Sequence, residues 1–262
     1  MKPAPFEYCR PTTLAEAGAM LTPGARLLAG GQSLGPLLNL RLARVQRLVA
    51  ISGLPELWQV QETPQALFLG AGLTHAAIAD GRTPDLGERW LAQIADRIAY
   101  RAIRNRGTIG GSLAHADPSA DWLVTLTALG GFVLTWRARR PGRAISLESF
   151  VTAALRNTLE AGEIVQAVRL PRPSPGARWG YFKACRKPGE LAHAMAAFFD
   201  DPQRGVRRAA IGAVNGPPVV LVGDRARPEA VEEALAASGL DAVGRRMQAV
   251  ALERAIAQAG GL

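Results

Sequence analysis

The residues best suited to chemistry lie in one stretch, RNRGTIGGSLAHADPSAD, at positions 104–121. Its three glycines allow the backbone to turn tightly and to approach a ligand closely. Thr108 and Ser112 add hydroxyl donors, and Asp117-Pro118 has the pattern of a helix N-cap followed by proline. Main-chain donors, hydroxyls and a helix start in one place favour binding of an anion such as a phosphate ester.

A second stretch has the same character. Ala29-Gly30-Gly31-Gln32-Ser33 ends an apolar strand pattern, and an apolar helix or turn is predicted from Leu34 to Leu42. Both stretches offer amides plus hydroxyls, as two loops converging on a diphosphate would. No G-x-G-x-x-G follows a strand and no Walker lysine follows either loop, which excludes the usual Rossmann and P-loop sites. The pattern therefore predicts a different nucleotide cradle.

Strand and helix patterns alternate irregularly before residue 173 and must position these loops. The predicted helices cover residues 14–21, capped by Thr12 or Thr13, then 75–79, capped by Thr74, and 88–104 and 118–129. The predicted strands cover residues 6–8, 26–29, 48–51, 58–61, 66–71, 132–136, 144–147 and 163–170. Several of these strands pair as hairpins. The fold class predicted is α+β rather than a doubly wound parallel sheet.

The segment PRPSP at 171–175 is a stiff connector and marks the best domain boundary. Beyond it, four apolar segments predict an antiparallel meander at 179–186, 194–199, 206–214 and 219–222. Two closing helices are predicted at 228–238 and 243–259. The C-terminal lobe is thus expected to be a sheet backed by helices.

Composition narrows the function classes. The two cysteines, Cys9 and Cys185, have no ligand at metal spacing, so any metal centre must belong to a partner. The net charge of +9 comes mainly from scattered arginines, which does not favour a nucleic-acid stripe. No apolar run is long enough for a membrane span and the N-terminus has no signal pattern, so the cytoplasm is the expected location.

Several motifs together resemble one known family. AGGQSLGPLLNLRLA (29–43), GAGLTHAAI (70–78), the 104–121 stretch, YFKACRKPGELAHA (181–194) and AIGAVNGPP (210–218) are similar to the FAD-binding medium subunit of molybdenum hydroxylases. This is the xanthine dehydrogenase and carbon monoxide dehydrogenase family, and the resemblance covers essentially the whole chain. It implies a PCMH, or vanillyl-alcohol-oxidase, type of FAD-binding domain at 1–173, with subdomains of about 1–53 and 54–173. A carbon monoxide dehydrogenase flavoprotein C-terminal-like domain, an antiparallel sheet with helices, would follow at 174–262.

The resemblance also implies a set of cofactor-binding residues for non-covalent FAD. Those for the diphosphate are Ala29, Gly30, Gly31, Gln32 and Ser33 in the first loop, and Thr108, Ile109, Gly110, Gly111 and Ser112 in the second; Leu34 is a further cofactor-binding residue. Asp121 matches an acidic FAD contact, Val165 a main-chain contact and Tyr181 an aromatic position beside the isoalloxazine. Lys183 and Lys187 lie in the segment that passes the flavin. The histidines, including His75, are assigned to helix capping or loop packing rather than to a covalent flavin link.

The function implied is that of an electron-transfer subunit with no catalytic acid, base or nucleophile of its own. Electrons would come from a large molybdopterin partner through a small [2Fe-2S] partner and pass from FAD to NAD, a quinone or oxygen. The implied assembly is a dimer of heterotrimers. Three alternatives stay open: a self-contained small flavin oxidase of the same fold, a non-enzymatic binder of anions or nucleic acid, and a relative that has lost FAD.

Overall fold

Three main sheets follow one another along the chain, which the computed structural model describes over residues 2–261. The first lobe contains β1 (Glu7–Cys9), α1 (Leu14–Met20), β2 (Ala25–Leu28), α2 (Leu34–Asn39) and β3 (Arg47–Ala50). Its strands form a parallel sheet in the order β1-β3-β2. Thr13 caps α1 by accepting a hydrogen bond from the amide of Glu16 at 3.1 Å, which confirms the helix start predicted from the sequence.

The second lobe carries a five-stranded antiparallel sheet. Its strands are β4 (Val60–Glu62), β5 (Ala66–Gly70), β6 (Phe132–Trp136), β7 (Ala144–Ser146) and β10 (Ile164–Pro171), in the order β4-β5-β10-β6-β7. Its helices are α3 (His75–Ala79), α4 (Trp90–Asp96), α5 (Arg101–Arg104), α6 (Ile109–His115), α7 (Asp121–Ala128) and α8 (Leu147–Phe150). A separate two-stranded ribbon consists of β8 (Val151–Ala153) and β9 (Arg156–Asn157). Separate sheets joined by helices confirm the α+β class.

The third lobe is the predicted antiparallel meander. It comprises β11 (Arg178–Ala184), β12 (Ala194–Asp201), β13 (Val206–Gly212), β14 (Val219–Val222), α9 (Val231–Ala234) and α10 (Ala242–Gln258). Each strand pairs with the next one in sequence, so β11 and β14 lie at the edges of the sheet. None of the helices in residues 2–261 is long and apolar enough to cross a membrane.

The C-terminal sheet is covered by helices on both faces, and every residue of β12 is buried. Because successive strand residues point to opposite faces, Met195 and Ala197 join the main core with α7, whereas Ala196 and Phe198 join a second core with α10. The neighbouring strand β11 alternates in the same way. Tyr181 therefore points toward the second lobe, and residue 182 points toward α10.

The long helix predicted over residues 88–104 is wrong, because the chain breaks between α4 and α5. Ala99 in the break has a φ of 43°, in the left-handed region. Side chains take carbonyl groups that a continuous helix would use: Lys183 Nζ donates to the carbonyl of Arg97 at 3.0 Å, and Arg104 Nη1 donates to that of Ala99 at 2.9 Å. The local sequence cannot show the contribution of Lys183, which lies 86 positions from Arg97.

The predicted start of the next helix, at Pro118, is also wrong. Asp117 Oδ1 accepts from the amide of Ser119 at 2.8 Å and its carbonyl from Ala120 at 3.0 Å, so residues 117–120 form a turn. The helix α7 begins only at Asp121, which is therefore its first residue. Asp117 closes a turn instead of capping a helix, a use that short polar side chains also favour.

Three further boundaries differ from the predictions. The predicted glycine turn at 107–112 is the start of helix α6, with Thr108 as its N-cap. The apolar helix predicted to reach residue 42 ends at Asn39, and the closing helix predicted at 228–238 is a short 3-10 turn followed by α9. The structure therefore adds α6, α8 and the β8–β9 ribbon to the predicted elements, and the start of α6 changes which backbone groups can face the candidate site.

Candidate functional site

The first glycine stretch presents a row of free main-chain donors. It joins the end of β2 to the start of α2, and Gly31 has a φ of 73°, a conformation that favours glycine. Within the described part of the chain, the amides of the five successive residues 30–34 donate no hydrogen bond. The side chain of Gln32 turns back, with Nε2 donating to the carbonyl of Gly30 at 3.0 Å. Free amides at a helix start form a cradle for an anion.

The two glycine stretches lie against each other, as the sequence predicted. A Cβ added at Gly30 would overlap the carbonyl oxygen of Arg106 and lie 2.8 Å from the Cα of Gly107. A Cβ added at Gly111 would lie 3.6 Å from the Cβ of Ala29. Glycine is therefore required at position 30 because the backbones of the two stretches are in direct contact.

The second stretch uses its amides inside the protein. The amide of Gly111 donates to Thr108 Oγ1 at 3.0 Å, and the amide of Ser112 donates to the Thr108 carbonyl at 2.9 Å. The amides of residues 109 and 110 donate to the carbonyls of Leu73 and Ala71, both at 3.0 Å. The groups that this stretch can offer a ligand are therefore mainly the hydroxyls of Thr108 and Ser112, not the four amides after Thr108.

His75 joins the second glycine stretch to α7. Its backbone amide donates to the Gly107 carbonyl at 2.9 Å, and its Nδ1 accepts from the indole Nε1 of Trp122 at 3.0 Å. A Cβ at Gly107 would lie 2.8 Å from the ring. Burial, with a smaller effect from the charge of Arg104, lowers the pKa of His75 to about 4, so the ring is neutral. The sequence analysis assigned His75 to capping or loop packing, and the structure shows it packed against this loop.

We expect the buried His75 to make the protein acid-sensitive. The unfolded state takes up the proton near pH 6.5 and the folded state only near pH 4, so stability is lost as the pH falls between these values. The wild type should lose about 2 kcal/mol more unfolding free energy between pH 7 and pH 5 than His75→Gln. Urea unfolding of both proteins at the two pH values measures this difference. Equal losses in the two proteins would show that His75 does not contribute.

Asp121, Tyr181 and Lys183 form a buried network between the second and third lobes. Tyr181 Oη donates to Asp121 Oδ1 at 2.8 Å, and Lys183 Nζ lies 2.9 Å from the same oxygen. Both charged side chains are about 95% buried, with exposed fractions of 5% and 4%. Arg97, the residue that follows α4, donates from its Nη1 to the Tyr181 carbonyl at 3.0 Å. The sequence analysis treated Asp121, Tyr181 and Lys183 as separate cofactor contacts, and the structure brings them together.

The pKa values of Asp121 and Tyr181 depend on burial and on the contacts within this network. Burial raises the pKa of the Asp121 carboxyl, and the Lys183 ammonium and the Tyr181 hydroxyl oppose that rise. Burial, reinforced by the Asp121 carboxylate, raises the pKa of Tyr181 well above its ordinary value. Tyr181 therefore stays protonated and acts as a hydrogen-bond donor. Asp121 thus accepts hydrogen bonds from both Tyr181 and Lys183, so its buried carboxylate is paired.

Within the described residues, no side-chain hydrogen bond joins the buried network to either glycine stretch, and the other two predicted residues, Val165 and Lys187, belong to neither group. Val165 is buried in β10 opposite Thr135, next to an irregularity in the strand pairing. Lys187 is exposed after β11 and makes no ion pair in the described residues. Sequence reasoning missed Arg97 and the partnership of His75 with Trp122. The quoted motif GAGLTHAAI did contain His75, but nothing in it indicated the indole partner.

A family model described as "FAD binding domain in molybdopterin dehydrogenase" matches residues 4–173. The chain belongs to this family. The matched residues include both glycine stretches and Asp121, so the cradle of free amides lies inside an FAD-binding domain. The cofactor fits the site, because five unpaired amides can donate hydrogen bonds to the negatively charged oxygens of the FAD diphosphate. The chain is an FAD-binding medium subunit of the molybdenum hydroxylase type, a component of an oxidoreductase.

Individual relatives agree with this family. The carbon monoxide dehydrogenase medium chain of Afipia carboxidovorans is 34% identical over 266 residues, covering 98% of this chain and 88% of that protein. The caffeine dehydrogenase subunit beta of a Pseudomonas species is 32% identical over 225 residues, covering 84% and 76%. The carbon monoxide dehydrogenase structure from Hydrogenophaga pseudoflava superposes with a TM-score of 0.87 at 29% identity, covering 99% of both chains. The medium subunit therefore shares its fold with the Hydrogenophaga protein over almost its whole length.

Proposed function

We propose that this medium subunit holds FAD as the electron-transfer station of a molybdenum hydroxylase complex. The observation that carries the proposal is the run of free amides at residues 30–34, held directly against the Arg106–Gly107 backbone. A diphosphate needs several donors converging on one spot, and these amides supply them at the start of α2. Family membership supports FAD as the nucleotide.

The residues proposed to contact FAD fall into two groups. The diphosphate group consists of Ala29, Gly30, Gly31, Gln32, Ser33, Leu34, Thr108, Ile109, Gly110, Gly111 and Ser112. In the second of these stretches the hydroxyls act as donors, and the glycines allow the close packing. The group proposed for the rest of the cofactor is Asp121, Val165, Tyr181, Lys183 and Lys187.

Bound FAD would supply the redox chemistry, and this chain supplies position and electrostatics. Asp121 holds the Lys183 ammonium and the Tyr181 hydroxyl at fixed places, so both are preorganised before the cofactor binds. Tyr181 is almost fully buried and keeps water from this side of the site. A positive charge held beside a flavin stabilises its reduced, anionic form, and this is the role proposed for Lys183.

The wider setting is part of the same proposal. A large molybdopterin subunit and a small [2Fe-2S] subunit would deliver electrons, and NAD, a quinone or oxygen would accept them. The complex would work in the cytoplasm as a dimer of heterotrimers. The proposed domains are a PCMH-type FAD-binding domain at 1–173, with subdomains of about 1–53 and 54–173, and a C-terminal domain at 174–262. The separate sheets on either side of residue 173 support that division.

The proposal is tested by the visible spectrum of the purified chain, followed by acid precipitation and identification of the released chromophore. We expect flavin absorbance bands and FAD in the supernatant. Gly111→Trp should abolish both, because even its Cβ would lie 2.8 Å from Thr108 Oγ1 and face Ala29. Gly53→Trp is the matched control, since a Cβ at Gly53 meets nothing within 4 Å. A colourless wild-type protein that does not take up added FAD would contradict the proposal.

A further inference from the structure

The last helix, α10, carries apolar residues on two faces. One face packs on the C-terminal sheet through residues such as Ala249, Leu252 and Ile256. The other face presents Val243, Met247 and Val250, which follow helical spacing and lie on one stripe. Val243 is 68% exposed and Met247 is 39% exposed, so the lobe does not need this second stripe for its own core.

Together with β11, this stripe forms an apolar groove. Phe182 and Ala184 of β11 make one wall and the stripe of α10 makes the other, and the shallow, open groove between them has a volume of about 490 Å³. Almost all of the surface that lines the groove is apolar. Single exposed apolar residues are ordinary, but a continuous apolar groove between two elements marks a binding surface.

Two arginines on α10 give this groove a charge pattern. Arg246 and Arg254 line it, and neither is paired with a carboxylate in the described part of the chain. The Arg254 guanidinium lies over the Phe182 ring, 4.8 Å from its centroid. The two positions are eight residues apart, or about 12 Å along the helix. A complementary ligand therefore has an apolar centre and acidic side chains separated by about the same distance.

We propose that this groove docks an apolar segment of a partner subunit that carries two acidic side chains. The inference rests on the proposed function, which requires partner subunits, and adds where one of them binds. A second copy of this chain fits poorly, because a symmetric contact would place these arginines opposite their own copies. The groove lies on the α10 side of β11, and Tyr181 and Lys183 lie on the opposite side. A partner segment in the groove would contact one face of β11 and leave the opposite face, which carries Tyr181 and Lys183, free for the cofactor.

The test uses the full chain co-expressed with its large and small partner subunits. Met247→Glu places a carboxylate in the apolar stripe, and Arg246→Glu reverses one of the two charges. Each should weaken assembly by about tenfold or more in Kd, measured by analytical ultracentrifugation of the reassembled complex. FAD content and thermal unfolding of each variant should match the wild type. Val222→Glu is the control, because Val222 is 55% exposed on β14 at the other edge of the sheet.

The outcomes separate this inference from the FAD proposal. Wild-type affinity in both Met247→Glu and Arg246→Glu would overturn the docking site. A wild-type chain that contains FAD but does not assemble with the partner subunits would also overturn it and leave FAD binding intact. A homodimer of the chain that dissociates with Met247→Glu would show that a second copy occupies the groove, against the inference. Loss of assembly in the two groove variants but not in Val222→Glu supports it.

Discussion

Replacing Gly30 by alanine should reduce FAD affinity by at least about a hundredfold, because the new methyl group would overlap the Arg106 carbonyl oxygen. The obstacle is backbone, so no side-chain rotation can relieve the overlap. The two glycine stretches must then separate, and the N–H groups of the residues after Gly30 no longer converge on one point. Titration of the apoprotein with FAD, followed by flavin fluorescence, measures the affinity.

The same substitution should lower the unfolding free energy only moderately, by about 1–3 kcal/mol, which is typical of overpacking. Gly53→Ala is the matched control, because a Cβ at Gly53 meets nothing within 4 Å, and both its affinity and its stability should stay near wild type. Comparison of urea unfolding curves for the two apoproteins separates a local effect from a global one. FAD affinity equal to wild type in Gly30→Ala would contradict the role given to the contact between the loops.

The sequence predicted local features well. The caps at Thr13 and Thr74 are confirmed, because capping depends on a few neighbouring residues. The approach of the two glycine stretches is also confirmed by the contact at Gly30. The pattern could not show that the amides of residues 109 and 110 are bonded to the segment at 71–73. Free donors and used donors look alike in a sequence, since the difference lies in partners far along the chain.

The errors in helix boundaries have a related cause. At the break between α4 and α5, the carbonyl of Arg97 accepts a hydrogen bond from Lys183, which lies more than eighty positions away in sequence. The same lysine pairs with Asp121, so one residue both shapes the backbone and completes the buried network. Periodicity assigns helices from local spacing, and it has no information on such contacts. The residues nearest the candidate site were therefore the hardest to place.

Lys183→Met should be among the most destabilising substitutions of the apoprotein, at about 3–5 kcal/mol of unfolding free energy. The change leaves the Asp121 carboxyl buried without its cationic partner. Burial raises the pKa of Asp121 already in the wild type, and removing the ammonium removes the main opposing effect. Lys187→Met is the control, because this exposed lysine has no ion pair in the described residues. Urea unfolding of the FAD-free proteins at pH 8 gives the comparison.

The dependence of this defect on pH identifies its cause. In Lys183→Met the folded state keeps a proton on Asp121 that the unfolded state has released, so the variant loses stability as the pH rises above about 4. The defect relative to wild type should therefore be larger at pH 8 than at pH 5. Adding Asp121→Asn removes the buried charge but keeps an oxygen that accepts from Tyr181. The double variant should then be more stable than Lys183→Met at pH 8. If Lys183→Met acted only through lost packing, the double variant would be no more stable than Lys183→Met, and the loss of unfolding free energy would not change with pH.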